Sequence, residues 1–306
     1  AAYLCKADLM TNMVGEKEYA GLRGFMGGVY LKKQGADEDV WKAVAEHYQP
    51  VMAGDRLPET ETGTILSVLD KADNLTGFFI AGYKPTGSKD PYAVRRQAMN
   101  LIYMILEKRL YIDLSLLVYE SALAYRKQMG RDTDINEIKD FLRQREINYL
   151  KEKGLDYDIV ASVTSEKRIC VPEDYEKAVV MAEARKSGAG FNDTIFALAR
   201  LNNIIPAGFK PSVVNEEFFG TDEEKRIYQT HVKVMPAIDE LMSARKYREC
   251  YALIESLKPE IGAFFEKVLV NVDDTDVRQN RLSLLFTVRQ SLYKFADFSK
   301  IVVDRK

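Results

Sequence analysis

Apolar side chains recur along this chain at the three- and four-residue spacing of one helix face, almost from end to end. The first such stripe reads Tyr3, Leu4, Ala7, Met10 and Val14. A second helix is expected from about Asp37 to His47, where acidic residues favour an N-terminus. A third carries Ile65, Leu66, Val68, Leu69, Ala72 and Leu75, with Asp70 and Asp73 on it. Val94, Ala98, Leu101, Ile102, Ile105 and Leu106 make one face of a fourth. Helical periodicity continues over Leu101–Lys108, Leu114–Met129, Asn136–Lys153, Tyr175–Arg185 and Asp193–Ile204. Lys246–Ile254 is a short amphipathic helix, and Leu257, Ile261, Phe264 and Phe265 carry the stripe into the next. The last helix turns Val277, Leu284, Leu285, Val288, Leu292 and Phe295 toward a core. The fold class expected is all-α.

The punctuation between these stripes is specific. Pro85–Arg96 is where the chain turns: Gly87 and Ser88 break structure, Asp90 caps, and Pro91 suits a first helical position. Arg95 and Arg96 fall in the early turns of the helix that follows, where the dipole favours anions rather than cations. Their partner is therefore either a phosphate or an acidic residue of a packed neighbour. Glycines 15, 21, 24, 27 and 28 mark loops and close backbone approaches, and residues 53–58 form a turn. Asp134 with Glu137 reads as a capping box. Gly130 and Gly154 stop helices, and Val171–Asp174 starts one with proline in its first turn. Lys186–Gly190 is a joint, residues 206–221 a long connecting loop, and Asp273–Asp274 the cap of the last helix.

A length of 306 residues suggests about two domains, and an apolar fraction of 46% is ample for their cores. No apolar run approaches the ~20 residues that cross a bilayer. The chain starts at Ala1 rather than Met, already inside a structured pattern, so a piece of a longer protein is expected. Cys5, Cys170 and Cys250 are far apart and form no Cys-x-x-Cys, which argues against a zinc ribbon or disulfide framework and fits a reducing cytoplasm. The net charge of −2 excludes a generally basic coat but not local patches. Residues 1–90 carry an acidic excess and 245–306 a basic one, so a nucleic acid would be sought at the C-terminal end. At about 100° per residue, Arg278 and Arg289 fall about 20° apart on one edge of the last helix. They either track a backbone or line a solvated edge. Arg281 falls on the apolar face and is expected to be half-buried and ion-paired. There is no Gly-rich phosphate loop and no Ser/His/Asp set.

Ala7-Asp8, Glu46-His47 through Pro58, and Leu69–Leu75 with Asp70 together resemble the HD superfamily of metal-dependent phosphohydrolases. The resemblance implies carboxylate ligands at Asp8 and Asp70, but Ala7 stands where the doublet needs its histidine. These positions are therefore expected to be vestigial, with no metal held, and an HD-class hydrolase is the alternative reading. Three stretches then resemble a second family, the beta subunits of bacterial glycyl-tRNA synthetase. They are Cys5–Glu16, Pro85–Arg96, and Phe264–Asp274 with Asn280-Arg281-Leu282.

This second resemblance implies a degenerate HD-like domain over 1–88, which could begin upstream of the chain. It also implies a helical connector over 89–170 and a C-terminal anticodon-binding-like helical domain over 171–306. It implies a tRNA-binding, non-catalytic part of a ligase, with no catalytic residue and no cofactor of its own. ATP and Mg would be used by a separate catalytic alpha subunit in an alpha2beta2 assembly, in the cytoplasm. The candidate tRNA contacts are Lys84, Lys89, Arg95 and Arg96 near the HD-like domain, and Arg278, Arg289, Tyr293 and Lys294 near the anticodon arm. An all-helical protein-interaction scaffold is the remaining alternative.

Overall fold

The structure is a computed structural model that describes residues 1–52, 54–85, 90, 92–131, 134–188 and 190–303, with Val14 and Gly15 as backbone only. Among them the regular elements are all helical. The chain divides into two units, one of residues 1–149 with 167–172 and the other of 150–166 with 173–306.

The first unit opens irregularly. In place of one amphipathic helix there is a 3-10 turn at Ala7–Met10 and a single turn, α1, at Asn12–Gly15. Lys6 in the left-handed region (φ 68°) and extended Thr11 interrupt the stripe, and Tyr3 is 97% exposed and Met10 90%. α2 (Phe25–Lys33) then packs on α3 (Glu38–Glu46). The periodicity did not predict α2, because two of its nine residues are glycines. Those glycines are what permit the packing: a Cβ on Gly28 would lie 2.6 Å from the Trp41 carbonyl oxygen and 2.7 Å from Ala45 Cβ.

α4 (Glu61–Ile80) is the axis of this unit and packs against α3, α5 (Val94–Glu107) and α6 (Leu114–Met129). Thr60 caps it through Gly63 N–H at 2.9 Å. Leu66, Val68, Ala72 and Leu75 are buried as the pattern requires, whereas Ile65 and Leu69 face out. α5 starts at Val94, later than expected; Asp90 caps it, accepting from Val94 N–H at 2.7 Å and Arg95 N–H at 3.1 Å. Pro91 lies outside the described residues.

Because Val94, Ala98, Leu101, Ile102 and Ile105 are all buried, α5 belongs to the first unit. The first unit, 1–149 with 167–172, takes in the segment 89–149 together with residues 1–88. α6 ends at Gly130, whose φ of 64° supplies the left-handed stop. α7 (Ile135–Glu152) starts at Asp134, which accepts from Asn136 N–H at 2.9 Å. The Glu137 carboxylate pairs with Lys84.

The second unit contains α8 (Tyr157–Val163), most of α9 (Val171–Ser187), α10 (Phe191–Asn203), α11 (Asp222–Ser243), α12 (Tyr247–Glu255), α13 (Lys258–Lys267) and α14 (Thr275–Tyr293). α11 packs on α12, α13 and α14, and α10 on α13 and α14. The shared core includes Ile195, Leu198, Ile227, Ile254, Phe264, Leu285, Val288 and Phe295. α11 is the longest helix and, like α2, one that the apolar pattern missed; it is polar on average and carries Pro236 in its interior. Its start closes a capping box, between Thr221 and Glu224. Asp274 caps α14 as expected, accepting from Asp276 and Val277 N–H. The 206–221 segment is sewn to α14, through Ser212–Ser283 and a reciprocal pair between Asn215 and Asn280 at 2.8 and 3.0 Å.

Candidate nucleic-acid interface

In the first unit, the two candidate carboxylates take up a backbone N–H and an ammonium. Asp8 is buried; its Oδ2 accepts from Gly24 N–H at 2.6 Å, and its Oδ1 is buried without a hydrogen-bond partner. Asp70 pairs with the Lys6 ammonium and accepts from Asn74 Nδ2 at 3.0 Å. His47 is fully buried and gives its Nδ1 proton to the Val44 carbonyl at 2.6 Å, leaving Nε2 without a partner. Burial holds this imidazole below its ordinary pKa. Among the described residues no three His, Cys, Asp or Glu side chains gather closely enough to hold a metal ion. A divalent ion fits badly here for a further reason: an ammonium already sits against Asp70, the one carboxylate lining the cleft.

That cleft encloses about 570 Å³ and is lined by Lys6, Arg23, Tyr48, Lys71, Tyr92 and Arg96 among others. Lys71 is buried, with its Nζ donating to the Tyr48 and Gln49 carbonyls at 3.2 and 3.0 Å and to Ser67 Oγ at 2.8 Å. Burial pushes its pKa down to about 8. Of the four sequence candidates in this unit, Arg96 is exposed in the cleft and Arg95 half-buried beside it. Lys84 is committed to Glu137, and Lys89 lies outside the described residues. Arg23, Tyr48 and Tyr92 carry no local sequence signal for this role; only the fold brings them beside Arg96.

In the second unit the structure joins two of the four candidates and separates the others. Asn202, at the end of α10, accepts from Tyr293 OH at 2.8 Å and from Arg289 Nη1 at 3.2 Å. The Arg289 guanidinium lies 4.8 Å from the Phe286 ring centroid and 5.4 Å from that of Tyr293, distances at which a cation is attracted by a ring face. Its Nε is buried without a partner. Beside it a depression of about 370 Å³ is lined by Asn202, Pro206, Phe209, Phe286 and Arg289. Lys294 pairs with Asp239 at 2.5 Å. Arg278 folds back to donate to the Val272 carbonyl at 2.9 Å. The two arginines share an edge of α14 but are about 16 Å apart along it, so they do not form one patch. Asn202, Phe209 and Phe286 were missed by sequence reasoning. Asn202 is a polar residue at a helix end, which signals a C-terminus as readily as a site.

Arg281, by contrast, is structural. It is 9% exposed, and its Nε and Nη2 donate to Glu224 at 2.7 and 3.2 Å while Nη1 donates to the Leu269 carbonyl at 2.9 Å. Burial alone would raise the Glu224 pKa. The hydrogen bonds and charge of Arg281, with Thr221, outweigh it and hold the carboxyl below its ordinary value.

Cations held over aromatic rings on a helical scaffold are among the features found where proteins meet unstacked bases. Comparison with known proteins agrees on the class: residues 194–301 match the DALR anticodon binding domain. Residues 1–165 match the glycyl-tRNA synthetase beta subunit, and the chain belongs to that family. It is 36% identical over 305 residues to the glycine–tRNA ligase beta subunit of Syntrophomonas wolfei, covering 99% of this chain and 44% of that one. To those of Persephonella marina and Clostridioides difficile it is 36% and 34% identical, covering 97% and 99% of this chain and 44% of each relative. The chain thus spans less than half the length of the curated relatives it matches.

Proposed function

We propose that this chain supplies tRNA-binding surface to a glycine–tRNA ligase, as part of its beta subunit. It supports the ATP-dependent attachment of glycine to tRNA by a separate alpha subunit, which uses ATP and Mg, in an alpha2beta2 assembly in the cytoplasm. The observation that carries this reading is the Asn202–Arg289–Tyr293 cluster with Phe286, inside the stretch that matches an anticodon binding domain. A guanidinium fixed between two rings and an amide offers an unstacked base a face to stack on and donors to its edge. On this reading the chain does no bond chemistry. It contributes binding energy and orientation, which bring the acceptor end to the partner's catalytic site.

The test is binding of the chain to a glycine tRNA and to an unrelated tRNA across a salt series. The glycine tRNA is expected to bind more tightly, with affinity falling as salt rises because phosphate contacts release counterions. Preference that vanishes when the anticodon is changed assigns the reading to the second unit. Equal binding of both tRNAs, or binding that does not change with salt, overturns the proposal.

A further inference from the structure

The cationic side chains that line the cleft of the first unit are not equivalent. The Lys71 ammonium is used up by two carbonyls and a hydroxyl, and Lys6 neutralises Asp70. Arg23 and Arg96 have no hydrogen-bond or ion-pair partner among the described residues; Arg23 lies over the Tyr48 ring, 5.2 Å from its centroid. Two guanidinium groups therefore face one cleft without a counter-charge, and their planar forks match phosphate oxygens.

The walls supply the second half of a nucleotide site. Tyr92 is 43% exposed and stacks on Phe78, with ring centroids 5.1 Å apart and planes 22° apart. Tyr48 is already taken up by the His47 ring, 4.0 Å away between centroids, and by the Arg23 guanidinium over it. Gln97 and Asn100 spend their amide N–H groups on the Tyr92 and Pro50 carbonyls, at 3.1 and 3.0 Å. Their side-chain oxygens remain as acceptors for the amino group of a base. The volume of about 570 Å³ falls within the usual 300–1,000 Å³ of small-molecule sites. Two residues of the lining, Lys6 and Ala93, hold left-handed backbone angles (φ 68° and 54°), a conformation that persists where surrounding structure imposes it.

We propose that this cleft binds one unpaired nucleotide, with its phosphate on Arg23 and Arg96 and its base against Tyr92. A free mononucleotide and an unpaired nucleotide of an RNA strand present the same chemistry. No bond is made or broken. The cleft itself stands on the geometry of the first unit; only the identification of the strand as tRNA rests on the function proposed above.

The experiment uses the whole chain and a fluorescent single-stranded oligoribonucleotide, with AMP, CMP and unlabelled glycine tRNA as competitors. The variants are Arg23→Ala/Arg96→Ala and Tyr92→Ala, with near-UV circular dichroism to confirm that they fold. The oligonucleotide is expected to bind, and each variant to weaken it about fivefold or more, the lower end of what one base–aromatic contact contributes. Displacement by mononucleotides supports a free-nucleotide occupant. Displacement by tRNA alone supports an unpaired nucleotide of that strand. If the wild type binds tRNA but not the oligonucleotide, and the variants bind tRNA as tightly, the cleft proposal falls and the tRNA reading stands. If a mononucleotide binds and the variants lose it while tRNA never binds, the cleft stands and the tRNA reading falls.

Discussion

Replacing Glu224 with alanine removes one carboxylate and five hydrogen bonds, from Gly220 N–H, Thr221 N–H and Oγ1, and Arg281 Nε and Nη2. Glu224 is fully buried and Arg281 nearly so. The change therefore strands a buried guanidinium, a class of perturbation that costs about 3–5 kcal/mol. For a unit of this size about 1 kcal/mol corresponds to roughly 2–4 °C, so the melting transition of the second unit should fall by about 6–20 °C. Differential scanning calorimetry reads this, because a transition of the first unit should stay in place.

Two controls sharpen the test. Glu224→Leu with Arg281→Met removes both charges and should recover much of the loss, since a buried pair replaced by apolar side chains is often neutral or better. The wild type should also weaken in acid. The folded carboxyl titrates below its ordinary value, so its stabilisation is present above the unfolded pKa of about 4.3 and is lost as pH falls through the lower folded value. A drop of less than about 2 °C for Glu224→Ala, or a double variant no better than the single, would refute a structural role for this pair.

Three further outcomes follow from the same geometry. Asn202→Ala leaves Arg289 and Tyr293 present but unpositioned; glycine-tRNA affinity should fall about tenfold with the salt slope unchanged, whereas Arg289→Ala should also lower that slope by about one. Filter binding across salt separates the two. Gly28→Ala drives a methyl into the Trp41 carbonyl and Ala45, and should cost about 1–3 kcal/mol in urea denaturation as an overpacked contact. Lys71 has a folded pKa lowered to about 8 by burial, against about 10.4 unfolded. Between these values the unfolded chain binds more protons, so first-unit stability should rise with pH by up to about 1.4 kcal/mol per unit. In Lys71→Met that slope should disappear.

How much was legible in the sequence varied with the kind of signal. Long stripes such as Leu114–Met129 were read to the residue, because a core-facing period and a left-handed glycine agree there. α2 and α11 were not. The glycines of α2 serve close approach rather than propensity, and the stripe of α11, at Ile227, Val234, Ile238 and Leu241, is set in a helix that is polar on average and carries an internal proline. Arg281 was assigned correctly, since an arginine in the middle of an apolar face has to find a buried carboxylate; Glu224, 57 positions earlier, was beyond any local pattern. The same limit governs the sites. Arg289 and Tyr293 could be picked as chemistry on one helix, but the asparagine that positions both comes from another helix about ninety residues away. In the first unit the periodic reading found Arg96, and the fold supplied Arg23, Tyr48 and Tyr92.

The order in which the chain visits its two units bears on how it can be taken apart. It leaves the first unit after residue 149 and returns for only residues 167–172 before leaving again. That short return is not ornamental: Ile169 accepts from Leu114 N–H at 2.9 Å, and Lys167 accepts from Ser115 Oγ at 2.9 Å, at the start of α6. A gene cut at any single position therefore cannot yield both units whole. One cut after 149 deprives the first of the segment that closes over α6, and one after 172 leaves it carrying residues 150–166 of the other. In genetic terms the two units are one inseparable cassette, and a fragment meant to isolate either must be spliced rather than trimmed.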